Sequence, residues 1–331
     1  VSRRTTRAFR PSTERLIEQQ FGIIRPVTDA RRLLRAGQEN TDAWLAARSA
    51  TIGASEISIL MMSDHPYHSR FSLWHVKAHG WGQFGQTDQQ ERGHLLEPGI
   101  ARRFAAAHPE LIVARPNGAL WQDPANPALT CTPDFLTIDE DGLVAPLEAK
   151  SDEGGDDWGI GDEEIPAHHW WQVQQQCGVF AAPHGWIARW SSRGYRDYRI
   201  GYDHDRYCRA ATEAADFLRT VAEGKAPEPD GHRASIEVLT EIPASFAVRP
   251  VEFPTDLGDE RAALMEARKH IDRQLKEIEA KIRAGLGGAA VGYDLSGRTY
   301  TRTRTERKGY TVKPTVIDQV RTSEPQGQET P

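Results

Sequence analysis

The sequence predicts a mixed α/β (α+β) fold, a central mixed sheet flanked by helices, with a helical and β-hairpin C-terminal appendage. Three observations carry that expectation. Helix-like and strand-like periodicities succeed one another from Asp42 onward. The strand-like runs are short and are cut by "PNG", "DPANP" and "DEDG", whose Gly, Pro, Asn and Asp suit tight turns. Beyond "GKAPEPDG", the clearest linker, the apolar period changes to seven.

Residues 1–40 are Arg-rich without sustained periodicity and predict a basic N-terminal arm with one short helix at Arg31 to Leu34. "DAWLAARSATIGASEISILM" predicts a helix, a turn at Gly53 and a second helix capped by Ser55. In "QERGHLLEPGIARRFAAAHP" a helix places Leu96, Ile100, Phe104 and Ala107 on one face, with Pro98 either opening its regular part or kinking it. Residues 111–150 predict a mostly antiparallel sheet. "IPAHHWWQVQQQCGVF" predicts a helix with Pro166 in its first turn and Glu163 and Glu164 near its positive end. Two strands ("GWIARWSS", "DYRIGYD") and an amphipathic helix ("RYCRAATEAADFLRTVAEG") complete the main domain, 41–225. The appendage, 226–315, holds a heptad seam of Leu257, Leu264, Ile271 and Ile278 with Leu275 and Ile282 between, then a hairpin with Tyr300, Arg302 and Arg304 on one face. Residues 316–331 read as a disordered tail.

Composition narrows the function classes. No apolar run approaches the ~20 residues of a membrane span, and no apolar core follows "VSRRTTRAFR" to make a secretory signal. Cys131, Cys177 and Cys208 are too scattered for a disulfide framework or metal-ligand pairs, so a reducing cytoplasm is expected. The net charge of −6 is strongly polarised: residues 134–164 carry twelve acids and one Lys, residues 1–36 nine Arg and three acids. Such a chain binds a polyanion if divalent metal neutralises the acidic site.

That site is expected around "TCTPDFLTIDEDGLVAPLEAK". Residues two apart on a strand share a face, so Glu148 and Lys150 point together while Leu147 and Ala149 face a core. The "DEDG" turn folds Asp134 back beside Glu148. Pro146, which forfeits a ladder bond, predicts an edge or bulge. Two carboxylates form a hard oxygen site for Mg²⁺ or Mn²⁺, and an adjacent ammonium can orient or deprotonate water for attack on a phosphate. The competing reading is a surface salt bridge.

The surrounding blocks decide between them. "WLAARSATIGASEI", "PYHSRFSLWHVKAHG", "GHLLEPGIARRF", the Asp134…Glu148-Ala-Lys150 pattern and "WGIGDEEIPAHHWWQVQQQ" stand in the order of the YqaJ-like viral recombinase family, relatives of lambda exonuclease within the PD-(D/E)XK nuclease superfamily; the resemblance covers roughly residues 42–190. It implies a PD-(D/E)XK, restriction-endonuclease-like core. It also implies a metal-dependent 5′–3′ exonuclease on double-stranded DNA ends, leaving 3′ overhangs for a single-strand annealing protein. By position, Glu97, Asp134 and Glu148 match the metal-binding acids, Lys150 the catalytic lysine and Gln172 the glutamine lining the site. Arg48 and Ser55 match contacts to the DNA terminal phosphate. Mg²⁺ is the implied cofactor, with Mn²⁺ as substitute and two ions per site. Relatives form toroidal trimers, which implies a homo-oligomer of phage or prophage origin.

Other readings compete. An endonuclease of the same superfamily would cut closed circular DNA, and a non-catalytic recombination scaffold would ignore loss of Lys150. Trp158, in an acidic Gly-rich loop, is a candidate base-stacking residue, and Arg302 and Arg304 are candidate phosphate contacts. His75 and His79 lack a third ligand and the Glu of a zinc protease, so packing or surface positions are expected of them.

Overall fold

The computed structural model describes residues 30–35, 41–80, 88–116, 118–152, 158–161, 164–241 and 252–303. The expectations for the basic arm before residue 30, for Glu163, for Arg304 and for the C-terminal tail fall outside them. Two compact units divide the chain, residues 1–243 and 244–331.

In chain order the first unit contains β1 (Arg31–Leu34), α1 (Asp42–Ser49), β2 (Ile52–Gly53), α2 (Ile57–Met61), α3 (Arg70–His79), α4 (Asp88–Ala107), β3 (Ile112–Ala114), β4 (Leu120–Gln122), β5 (Leu129–Cys131), β6 (Phe135–Ile138), β7 (Val144–Asp152), α5 (Ala167–Phe180), β8 (His184–Ser191), β9 (Gly194–Gly201), α6 (His204–Ala222) and α7 (Arg233–Leu239). Its strands form two mixed sheets, of order β1-β4-β5-β2 and β3-β6-β7-β8-β9. This is the expected α/β architecture, with the hairpin β6–β7 at the centre of the larger sheet.

Local signals failed where tertiary pairing outbid them. Arg31–Leu34 is a strand, not a helix, because it pairs antiparallel with β4 across Arg31↔Gln122 and Arg32↔Trp121. Four residues cannot repay helix nucleation, whereas an existing sheet edge satisfies their backbone at once. Ser55 does not cap α2: Glu56 holds the cap position, without a side-chain cap bond. Gly53 lies in a short strand parallel to β5 rather than in a plain turn. On α4, Leu96 and Ala107 are exposed, and the buried stripe is Glu97, Ile100, Ala101 and Phe104. That i, i+3, i+4, i+7 spacing carries a carboxylate on the core face. Pro98 lies inside the helix.

The strand β7 is central, pairing antiparallel with β6 and parallel with β8. Leu147 and Ala149 pack with Ile100, Ala101, Phe104 and Phe135, and the opposite face is covered by α5. Pro146 therefore marks neither an edge nor a bulge: it sits opposite Leu136 without a register break, and pairing with β8 begins one residue later at Leu147. Helix α5 is brought close to α6 by Gly178, where a Cβ would lie 2.1 Å from the Tyr207 ring. After "GKAPEPDG" the chain returns to the first unit as α7, tied to the start of α3 by a 2.6 Å Ser69–Ser235 hydroxyl contact.

In the second unit the heptad segment is one helix, α8 (Thr255–Leu286), followed by the hairpin β10 (Val291–Tyr293) and β11 (Thr299–Thr301). Leu257, Leu264, Ile271, Leu275 and Ile278 are all exposed. Arg302 donates through Nη1 to the Gly287 carbonyl at 2.7 Å, capping the end of α8, and the Tyr300 hydroxyl donates to Asp294 at 3.0 Å.

Candidate active site

The hairpin register Phe135↔Leu147 sets Asp134 across from Glu148. The Ala149 amide donates to Asp134 Oδ2 at 2.9 Å, so the backbone itself aims this carboxylate. Glu148 points from β7 beneath α5 and is 1% exposed. Its Oε2 accepts from Lys150 Nζ at 2.9 Å and from Gln172 Nε2 at 2.8 Å, while its Oε1 accepts from Gln176 Nε2. Glu97 enters from α4 and accepts from Arg115 Nη2 at 2.9 Å.

The electrostatics are those of crowded acids. Burial, and then Glu148, push the Asp134 carboxyl well above the usual carboxylate range. Burial also raises Glu97, with Glu148 adding to it against the pull of His94 and Arg115. Burial would pull Lys150 down, but Glu148 and Asp134 outweigh it and raise the amine. A site that drives two carboxyls toward protonation and holds its lysine charged is short of positive charge.

Among the described residues no group of three or more His, Cys, Asp and Glu side chains converges as a ready metal cage. Glu97, the third expected acid, is instead engaged by Arg115 at 2.9 Å. The donor chemistry nevertheless fits a hard divalent ion: all-oxygen ligands, mutual repulsion, and Asp134 and Glu148 already paired.

Beside this cluster lies a small cleft lined by Arg48, Gly53, Ser55, Thr130, Thr132, Gln172 and Gln176. Gln172 and Gln176 line the cleft and also donate to Glu148, so the cleft and the acid pair share a wall. Arg48 stacks over Trp44 at 5.0 Å and donates through Nη2 to Glu56 Oε1 at 3.0 Å. Glu56 Oε2 accepts from the Gly53 amide and from Lys77 Nζ, each at 2.7 Å.

Asp134, Glu148, Lys150 and Gln172 thus fall together with Glu97 beside them, while Arg48 and Ser55 line the adjoining cleft. Trp158 lies against Arg189 (4.7 Å), His169 (5.3 Å) and Tyr198 (5.4 Å), already stacked on protein groups. His75 packs on Phe71, ring centroids 4.5 Å apart, as expected of a packing histidine. Sequence reasoning missed Glu56, Lys77, Arg115 and Gln176. Gln176 alone had a visible signal, as the third member of "QQQ" one helical turn beyond Gln172.

Residues 43–182 match the model of the YqaJ-like viral recombinase domain. The matched span lies within the first unit. All the residues of the acid cluster and the cleft lie inside the matched span. No curated protein matches the chain. Among solved structures, the chain is similar to an alkaline exonuclease (LHK-Exo) from Laribacter hongkongensis, at 21% identity and a TM-score of 0.44, covering 56% of this chain and 94% of that one. It is also similar to a phage-related exonuclease from Haemophilus somnus 129PT, at 10% identity and a TM-score of 0.38, covering 53% and 94%. Among the described residues no helix is long and apolar enough to cross a membrane.

Proposed function

We propose that the YqaJ-like domain is a Mg²⁺-dependent exonuclease that degrades one strand of duplex DNA 5′ to 3′ from an end, releasing mononucleotides. The observation that carries this reading is the shared wall. A small polar cleft with an arginine and hydroxyls adjoins the acid–amine cluster through Gln172 and Gln176, which suits a strand end seated beside the bond to be cut.

Asp134 and Glu148, joined by Glu97 on release from Arg115, would hold divalent metal, Mg²⁺ or Mn²⁺ and up to two ions, supplying Lewis acidity and charge neutralisation at the phosphate. The protein's own groups do the rest. Lys150, kept charged by its acids, is within reach to orient water and to donate to a phosphate oxygen. Gln172 and Gln176 fix both oxygens of Glu148, and Arg48 and Ser55 would receive the terminal phosphate. The 3′ overhang would pass to a single-strand annealing protein, and a ring of subunits would keep the enzyme on its track.

The test is to incubate the protein and its Lys150→Ala variant with Mg²⁺ and linear duplex labelled at either end, beside a closed circle. Mononucleotides released from 5′ ends, with the circle spared and the variant inactive, are expected. Nicking of the circle would replace this reading with an endonuclease, and Lys150-independent behaviour on every substrate would leave a scaffold.

A further inference from the structure

Lys77 is a buried cation of this region that the proposed chemistry does not use. Its side chain is 2% exposed, and its ammonium donates to Glu56 Oε2 at 2.7 Å and to the Arg48 carbonyl at 2.7 Å. It is not among the residues lining the cleft. Burying an amine and a carboxylate together brings little net stability, because desolvation offsets their attraction, and an apolar pair would fill the space as well. The position of the pair points elsewhere. Glu56 Oε1 takes one nitrogen of Arg48, the arginine of the cleft, at 3.0 Å. Alone, that contact would aim the guanidinium but cancel its charge.

We propose that Lys77 is a positioning residue which offsets the charge of Glu56, so that Glu56 can hold Arg48 in place while the cleft keeps a net charge of +1 for the terminal phosphate. The division of labour is visible in the contacts. One oxygen of Glu56 serves Arg48; the other is occupied by Lys77 and the Gly53 amide. Lys77 also pins the carbonyl of Arg48 itself, fixing the backbone from which the guanidinium reaches. Orientation and charge, which compete when an arginine is paired with one acid, are thereby supplied by two different residues. This inference rests on the reading of the cleft as a terminal-phosphate site.

Its test uses net charge as the variable. Removing Lys77 leaves the triad at 0, removing the charge of Glu56 leaves +2, and removing both restores +1. Equilibrium binding of a short duplex carrying either a 5′-phosphate or a 5′-hydroxyl would be measured in EDTA on the full chain. The preference for phosphate should fall about tenfold in Lys77→Met, the scale of one charge-assisted contact. It should be regained in Glu56→Gln/Lys77→Met, although that double variant has lost the whole ion pair. Should Lys77→Met alone not fold, Glu56→Gln against the double variant makes the same comparison, with the single variant expected to bind the phosphate more tightly. An unchanged preference in Lys77→Met, or a double variant no better than Lys77→Met, overturns the proposal while leaving the cleft assignment intact. A wild-type protein with no preference for phosphate overturns both.

Discussion

Two ion clusters lie on either side of Gln172 and Gln176, built from the same groups to opposite effect. In one, Glu97, Asp134 and Glu148 outnumber Lys150 and Arg115; in the other, Arg48 and Lys77 outnumber Glu56. The protonation equilibria diverge accordingly. Asp134 is raised by burial and then by Glu148. Glu56 would also be raised by burial, but Lys77 and Arg48 outweigh it and bring it down to about 2. Lys150 is raised against its burial by several acids, whereas Lys77 is lowered, because burial and Arg48 exceed what Glu56 returns. A buried Glu–Lys contact therefore has no fixed meaning. The third and fourth charges leave one cluster with an excess of negative charge and the other with an excess of positive charge.

The sharpest way to break this contrast is Asp134→Asn. Cleavage should fall on the order of 10³-fold, the cost of losing one preorganised electrostatic group or more. Independently of activity, Mg²⁺ at about 100 times its Kd should stabilise the wild type by about 2.7 kcal/mol, read as a rise in Tm that Asp134→Asn largely loses. Without metal the same variant should melt higher than wild type, since a repelled carboxylate is gone. An equal Mg²⁺ response in both proteins would remove the cation-site half of the comparison.

A smaller effect belongs to the other cluster. Because the Glu56 carboxyl is lowered from 4.5 to about 2, its contribution to stability is present above pH 4.5 and is lost as pH falls through about 2. Denaturation midpoints between pH 5 and pH 2 should fall less steeply in Glu56→Gln than in wild type, and parallel curves would show that Glu56 is not held by its cations. The smallest change is Gly53→Ala. Its Cβ would stand 3.2 Å from Arg48 Nη2 and 3.3 Å from Glu56 Oε2. A shift of a few tenths of an ångström should cost about two- to threefold in 5′-phosphate preference, under 1 kcal/mol, and leave the Mg²⁺ response untouched.

How much of this was legible in the sequence depended on distance along the chain. Asp134, Glu148 and Lys150 could be placed together because a hairpin and a two-residue strand period are local rules. Glu97 needed the family pattern, yet the structure returns a local reason: it shares the buried stripe of Ile100, Ala101 and Phe104. Glu56 and Lys77 were invisible, since 21 residues and an intervening helix separate them and nothing in either segment names the other. Ser55 was read both as a helix cap and, from the family pattern, as a phosphate contact; Glu56 holds the cap position, and Ser55 lines the cleft. The first unit extends past the linker at "GKAPEPDG" because Ser235 finds its partner at Ser69, 166 residues away.

Pro146 carries a last consequence, for how the strand finds its alignment. The Ala149 amide reaches Asp134, on the β6 side. Successive amides of a strand leave from opposite edges, so position 146 is one whose amide would face β8, and proline has none to offer. Were β8 to slide toward the start of β7, one of its carbonyls would meet that blank rung. The imino acid thus works as an end-stop for the parallel ladder, guarding against a slip that would bring Glu148 and Lys150 up against the wrong neighbours.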